Sequence, residues 1–148
     1  MKPIKWNDKL SIDNGLIDKD HHFLIKIVND FREQVGHFKS SDEAMEILKA
    51  LKFYSKKHFG REEELQRVAK FPYREAHHNE HMHLIMKLEK LMEETQDASG
   101  DYLNTVMGEK IGEFLHDWLI DHVLYSDLRM KPHVEHMKEL SKKLGELE

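Results

Sequence analysis

The sequence predicts an all-α protein, an up-down-up-down four-helix bundle with an N-terminal arm and a short C-terminal fifth helix. Three observations lead to this fold class. The 148 residues include only 7 Gly and 3 Pro, which leaves little turn chemistry for a many-stranded sheet. Apolar residues recur at three- and four-residue steps through long segments, as they do on one face of an amphipathic helix. Short breaks separate these segments, as in antiparallel bundles.

The first two helices are expected on either side of a break near residue 40. The first should span about residues 18 to 38, with Asp18 as its N-cap. Ser40, Ser41 and Asp42 then offer a break and a new cap, and the second helix should end before Pro72.

The remaining helices follow from the same periodicity. The third has an apolar face from His77 to Met92 and fades at the Ser99-Gly100 break, after which Asp101 can cap the fourth. The fourth should not continue unbroken beyond Pro132. The segment after it predicts the fifth helix, with apolar residues at helical spacing: Met137, Leu140, Leu144 and Leu147. The fifth helix could lie on the bundle or pair with another subunit, so a monomer and a weak homo-oligomer both stay open.

Length and composition limit the class of protein. A chain of this length is about one domain, so we expect a single domain over residues 1–148, with the arm and core bundle in 1–130 and the extra helix in 131–148. The net charge of -5 comes without a basic stripe, so nucleic acid is not an expected partner. No stretch approaches the roughly 20 apolar residues of a membrane span, and no signal segment precedes the helices, so we expect a soluble, cytoplasmic protein.

The absence of cysteine restricts any metal site to nitrogen and oxygen ligands, because zinc-thiolate and iron-sulfur sites need cysteine. Helical phase separates the histidines that face inward from those that do not. On this criterion His21 is chosen over His22, and His83 and His116 face away. The candidate ligands are His21, His58, Glu62, His77, His81, His122 and Asp127.

Seven such groups at one level of a bundle predict a metal site. A single inward histidine is usually satisfied by its neighbours, but five of them together with Glu62 would cost several kcal/mol to bury without partners. Pairs four residues apart, such as His58 with Glu62, lie on the same helix face and can reach one ion or two adjacent ions. Seven mixed ligands exceed the needs of one tetrahedral zinc and suit two octahedral ions, with iron or manganese favoured.

Asp127 fits this pattern least well. It lies five residues beyond His122, which on an ideal α-helix rotates it by roughly 140° away from that ligand. If Asp127 is a ligand, the fourth helix must loosen between the two residues, as single wide turns at functional sites do. The pattern by itself favours the alternative, a surface aspartate near a helix end.

With these seven candidate ligands at these positions, the sequence resembles the hemerythrin family, specifically its bacterial single-domain members. The resemblance covers residues 1 to about 130 and fills all seven ligand positions. The matching pieces are Trp6, Ile17-Asp18 before His21, His58-Phe59 with Glu62-Glu63, Pro72 before His77 and His81, and Trp118-Leu119 with His122 and Asp127.

The resemblance implies a role for each ligand. His77, His81 and His122 would hold one iron and His21 and His58 the other, with Glu62 and Asp127 bridging them beside a solvent-derived oxo or hydroxo group. The second iron would keep a vacancy for dioxygen. Four apolar residues within a turn of the ligands are candidates for lining the oxygen pocket, although ordinary core packing also accounts for each: Leu24, Phe59, Trp118 and Ile120. The chain departs from the usual family pattern at Asp20, where many relatives have glutamine, and at Gln66, where methionine is frequent.

The expected function is therefore reversible dioxygen binding for transport, storage or delivery to an oxygen-consuming enzyme, without enzymatic activity of its own. Two alternatives use the same site: a di-iron oxidase, peroxidase or nitric oxide reductase, and a sensor of oxygen or nitric oxide that signals through the fifth helix. A ferritin-like enzyme is disfavoured because its Glu-x-x-His motifs have members off the apolar stripe here. Those members are Glu75, His83, Glu113 and His116.

Overall fold

The structure is a computed structural model that describes residues 2–146, apart from the side chain at position 124. Its helices are α1 (Leu16–Gln34), α2 (Ser41–Val68), α3 (Arg74–Gln96), α4 (Gly100–Leu103), α5 (Val106–Ile120) and α6 (Lys131–Glu146). A π-helical turn, Asp121–Ser126, and a 3-10 turn, Asp127–Met130, connect α5 to α6. Residues 2–146 contain no β-strand, which confirms the all-α class, and no helix among them is long and apolar enough to cross a membrane. Leu147 of the expected fifth helix lies outside the described residues.

The four helices of the bundle are α1, α2, α3 and α5, and they run alternately up and down, as predicted. Helix α1 packs against α2 and α5, and α2 packs against α3. The early turns of α1 and α3 meet the late turns of α2 and α5 at one end of the bundle. There the rings of His21 and His58, and of His77 and His122, face each other.

Two apolar clusters hold the bundle together. The main one fills the bundle with fully buried leucines and Phe31, and each leucine so buried stabilises the fold by about 1.5–3 kcal/mol. The second lies below the early turns of α1 and α3 and consists of Ile12, Ile17, Phe71, Met130 and Val134. Val134 belongs to the first turn of α6, whereas residues 138–146 are all exposed, so α6 is attached to the bundle by its first turns.

The beginning of α1 differs from the prediction, because Asp18 is not the N-cap. The helix starts at Leu16, and the Asp13 carboxylate accepts hydrogen bonds from the backbone N–H groups of Ile17 and Asp18, both at 3.1 Å. The Asp18 carboxylate points back to the preceding loop, where it accepts from the backbone N–H groups of Ile12 at 2.8 Å and Asn14 at 2.9 Å. Asp18 therefore fixes the loop, and Asp13 supplies the acceptors at the helix start.

The end of α1 also differs, because the helix stops at Gln34 rather than near residue 38. Gly36 adopts a φ of 98°, a left-handed conformation that glycine adopts without steric cost. The Asn104 side chain then accepts from the backbone N–H groups of Gly36 (3.1 Å) and Phe38 (2.8 Å) and donates to the Phe38 carbonyl (2.7 Å). A contact across the bundle thus ends a helix whose apolar pattern continues.

The expected fourth helix is divided into α4 and α5, and Asp101 does not cap it. Ser99 caps α4 by accepting from the backbone N–H of Tyr102 at 3.2 Å. Helix α5 then starts at Val106. In its first turn, a Cβ on Gly108 would lie 1.8 Å from the Leu103 carbonyl oxygen. The close approach of the two short segments therefore requires glycine at 108. Helix α2 ends at Val68, before Pro72 as predicted.

Candidate metal centre

The seven candidate ligands meet at one end of the bundle, and the side chains come from α1, α2, α3 and the turns after α5. Each of the seven residues is buried, with at most 4% of its surface exposed. Helical phase excluded His22 and His83 as ligands, and both lie at the surface, outside this cluster. His22 is exposed and its ring contacts Trp6, and His83 is exposed. The members of the Glu-x-x-His motifs that were expected off the stripe are exposed or half-exposed: Glu75, His83, Glu113 and His116.

The ligand atoms divide into two groups that share two carboxylates. Atoms of Glu62, His77, His81, His122 and Asp127 all lie within 4.8 Å of one another, and the same holds for His21, His58, Glu62 and Asp127. The arrangement therefore offers two adjacent cation positions, one surrounded by five side chains and the other by four.

Glu62 presents one oxygen to each group. Its Oε1 lies 3.0 Å from His81 Nε2 and 3.6 Å from His122 Nε2. Its Oε2 lies 3.1 Å from His58 Nε2 and 3.4 Å from His21 Nε2. This is the arrangement that a carboxylate needs to bridge two ions.

Asp127 faces both groups in a similar way. Its Oδ1 lies 3.0 Å from His77 Nε2, and its Oδ2 lies 2.7 Å from His21 Nε2 and 3.0 Å from His122 Nε2. Because the residue is fully buried, the interpretation of Asp127 as a surface aspartate is wrong.

The backbone after α5 explains how Asp127 faces inward. The chain widens into the π-helical turn Asp121–Ser126, which takes up the rotation that separates positions 122 and 127 on an ideal helix. The Ser126 hydroxyl donates to Glu80 Oε2 at 2.7 Å, and Arg129 Nε donates to the Tyr125 carbonyl at 2.8 Å. These contacts fasten the widened segment to α3 and to itself, so the local loosening predicted for a ligand at 127 is confirmed.

Many polar atoms in the cluster of candidate ligands lack a hydrogen-bond partner, and these atoms show whether the residues fit a metal ion. Among the described residues, both oxygens of Glu62, Asp127 Oδ1 and the Nε2 atoms of His77, His81 and His122 are buried without a hydrogen bond. Leaving so many polar atoms unpaired in an apolar interior is costly, and shared cations would give all of them partners. The cluster therefore fits a metal site with nitrogen and oxygen ligands.

The charges within the cluster stabilise one another in the absence of metal. Burial acts to raise the pKa of Glu62, but attraction to His58 and to the neighbouring rings of His122 and His21 outweighs it, and the pKa of Glu62 lies well below its usual range. Burial likewise acts to lower the pKa of His122, but the Asp127 and Glu62 carboxylates raise it to about 9. His81 is the exception, since burial dominates and lowers the pKa of its ring. Protons and metal ions therefore compete for the same nitrogens.

Two contacts around the candidate ligands were not predicted from the sequence. Glu63 contacts His78 and lies 3.5 Å from His81 Nδ1. Arg61 binds the Asp20 carboxylate, which in turn contacts His58 Nδ1. The position of Arg61 three residues after His58, on the same helix face, is the one sequence signal that could have identified it.

The four candidate pocket residues differ in how directly they contact the ligands. The Phe59 ring stacks on His81 with 4.0 Å between ring centroids and 6° between ring planes. Leu24 and Trp118 lie in the main apolar cluster, where the Trp118 indole donates to the Leu84 carbonyl at 3.2 Å. Ile120 is partly buried against that cluster. Phe59 is thus the candidate that contacts ligand rings.

Comparisons with known proteins agree with this site. A family model described as the hemerythrin HHE cation binding domain matches residues 13–134. A protein named bacteriohemerythrin from Pseudomonas aeruginosa (strain LESB58) is 27% identical over 148 residues, covering 99% of this chain and 92% of the relative. Another protein of that name, from Clostridium acetobutylicum, is 27% identical over 128 residues, covering 82% of this chain and 94% of the relative.

Proposed function

Because the chain belongs to the hemerythrin family, we propose that it holds two iron ions and binds dioxygen reversibly at one of them. The observation that carries this proposal is the division of the seven buried ligands into two groups that share Glu62 and Asp127. His77, His81 and His122 would hold one ion and His21 and His58 the other, while Glu62 and Asp127 would be shared by both ions together with a solvent-derived oxo or hydroxo group. When bound, the two ferrous ions would supply two electrons to dioxygen and recover them on its release.

The unequal numbers of ligands support binding of an external molecule on one side. One group offers five protein side chains and the other offers four. Octahedral ions that share the same bridging groups would therefore be filled on the first side and short of one ligand on the second. The position beside His21 and His58 is accordingly the one that we assign to dioxygen.

The surrounding residues favour reversible dioxygen binding because they balance the charge of the ions and exclude water from the site. Glu62 and Asp127 would supply two negative charges to both ions, and the low-dielectric interior makes the attraction of these carboxylates to cations strong. Phe59 covers the ligand rings of His81 and His122. The main apolar cluster closes the site towards the middle of the bundle. A dry surrounding of this kind opposes proton leakage and side reactions.

We propose that the cellular role is transport, storage or delivery of dioxygen to a consuming enzyme, rather than catalysis. The test is the visible absorption spectrum of the iron-loaded, anaerobically reduced protein, recorded before air, after air and after deoxygenation. A charge-transfer band that appears with air and disappears on deoxygenation is expected. Rapid and irreversible conversion to the diferric protein without that band would refute the carrier role and favour a redox enzyme or a sensor.

Two histidine variants make the test specific to the site. His58→Ala removes a ligand from the four-residue group and should abolish the reversible band. His22→Ala alters an exposed ring next in sequence to His21 and should leave iron content and the band unchanged. Loss of iron in the His22 variant would contradict the assignment of His21 as the ligand.

A further inference from the structure

An ion pair between α1 and α2 lies directly behind one of the candidate ligands. His58 Nδ1 donates to Asp20 Oδ2 at 3.2 Å. Arg61 donates to the same carboxylate through two nitrogens, Nε at 2.8 Å and the second terminal nitrogen at 2.7 Å. The side chain of Asp20 is 13% exposed and that of Arg61 is 37% exposed, so the pair links the buried ring to the surface.

This connection distinguishes His58 from the other candidate ligands. His77 Nδ1 contacts the neutral amide of Gln66. In the part of the chain that the structure describes, the Nδ1 atoms of His21, His81 and His122 have no hydrogen-bond partner. His58 is therefore the one ligand ring there whose outer nitrogen is hydrogen-bonded to a carboxylate, and it belongs to the four-residue group.

We propose that Asp20 and Arg61 form a positioning pair that fixes the His58 ring with Nε2 towards the metal and sets the electron donation of that ring. The proposal rests on the proposed function, since it concerns the ion to which we assign dioxygen. A carboxylate that accepts the Nδ1 proton fixes the tautomer and makes the imidazole a stronger donor to the metal. The two-nitrogen contact of Arg61 fixes the carboxylate and offsets part of its negative charge.

The two members of the pair should act on the iron with opposite sign. Asp20→Asn keeps an oxygen that can accept the Nδ1 proton but removes the negative charge, so the ferric state is less stabilised and the reduction potential rises. Arg61→Gln removes the positive charge that offsets Asp20, so the ferric state is more stabilised and the potential falls. A purely structural role would not produce shifts in opposite directions.

The chain offers a matched control on the same helix. Arg67 contacts Glu64 through two nitrogens at 2.6 Å and 3.1 Å, in the same kind of ion pair, but both side chains are exposed and neither contacts a ligand ring. Arg67→Gln therefore removes an equivalent contact without affecting His58.

The experiment compares the full-length wild type with Asp20→Asn, Asp20→Ala, Arg61→Gln and Arg67→Gln. Binding of Co²⁺, a probe that needs no dioxygen chemistry, is measured by spectroscopic titration, and the reduction potential is measured on the iron-loaded proteins. We expect Asp20→Ala to weaken Co²⁺ binding by about 10- to 100-fold, Asp20→Asn to weaken it less, and the potentials of Asp20→Asn and Arg61→Gln to move in opposite directions. Arg67→Gln should match the wild type.

The outcomes separate this proposal from the proposed function. If Asp20→Ala and Arg61→Gln match the Arg67→Gln control, or if both potentials move in the same direction, the positioning role is refuted even where the reversible dioxygen band is present. If the wild type shows no reversible band, the carrier function fails, while Co²⁺ binding and the potentials still decide the role of the pair. Circular dichroism checks that each variant is folded. If Asp20→Ala does not fold, the opposite shifts in Asp20→Asn and Arg61→Gln remain the deciding result.

Discussion

Removing the metal and then raising the pH should destabilise the folded chain, and His122 allows the size of the effect to be worked out. Its pKa in the metal-free fold is about 9, against an ordinary value of 6.5, because the Asp127 and Glu62 carboxylates outweigh the effect of burial. A difference of this size corresponds to about 3 kcal/mol of folding free energy.

The sign follows from the direction of the pKa change. A histidine with a raised pKa in the folded state contributes its full stabilisation below its unfolded pKa of 6.5, and loses it as the pH rises through about 9. The free energy of unfolding of the metal-free chain should therefore fall by about 3 kcal/mol across this window. His58, whose pKa is also raised by Glu62, contributes in the same direction. In the metal-loaded chain the ion replaces the protons, so affinity for the metal should increase over the same window.

The assay is urea unfolding of the chelator-treated protein at several pH values between 6.5 and 9, followed by far-ultraviolet circular dichroism. His122→Gln is the control, because it removes the titrating ring and should reduce the fall in stability. Stability that stays constant or increases with pH in the metal-free wild type would refute the reasoning, as would an equal fall in the variant.

Three further predictions concern packing and the outer contacts of the ligands. Phe59→Ala removes a buried ring stacked on a ligand and should lower the free energy of unfolding by about 3–5 kcal/mol, whereas Phe53→Ala, at a site 55% exposed, should cost at most about 1 kcal/mol. Gly108→Ala should destabilise by at least about 1–3 kcal/mol, because its Cβ would collide with a backbone carbonyl. Gly60→Ala, with open space around the new Cβ, should stabilise α2 by about 0.5–1 kcal/mol. Gln66→Met should weaken metal binding by about 10- to 100-fold, because His77 Nδ1 loses its partner.

Urea unfolding checks the packing variants, and Co²⁺ titration checks the Gln66 variant. Equal losses of stability in the two phenylalanine variants would contradict the burial described for position 59. A stable Gly108 variant would show that the approach of α4 to α5 is looser than described. Unchanged Co²⁺ affinity after Gln66→Met would mean that the amide does not orient its histidine.

Helical phase carried most of the information about the fold and the site. The periodicity of apolar residues predicted the order of the helices, and the short breaks between them predicted their alternating direction. The structure confirms both, although it divides the expected fourth helix into α4 and α5. The same phase separated His21 from His22 and His81 from His83, and the structure buries the first member of each pair and exposes the second. Phase succeeds here because the side a residue faces on a regular helix depends only on its spacing from its neighbours.

Helix ends and irregular turns were predicted less well. The apolar pattern of α1 continues to residue 38, but the helix stops at Gln34 because Asn104, far along the chain, binds the backbone at Gly36 and Phe38. Asp18 resembles an N-cap by residue type, yet its carboxylate binds the loop before the helix. The side chain that accepts from a given backbone N–H group can be identified only from the folded structure, which brings the two segments together.

The sequence by itself thus determined an all-α bundle and six inward-facing candidate ligands, because both depend on local helical spacing. The tertiary structure decided that Asp127 joins the other six, because a π-helical turn fastened to α3 through Glu80 rotates it inward against the ideal helical phase. It also decided the sharing of Glu62 between two groups and the contact of Arg61 and Asp20 behind His58. These features depend on distances between helices, which spacing along one helix does not specify.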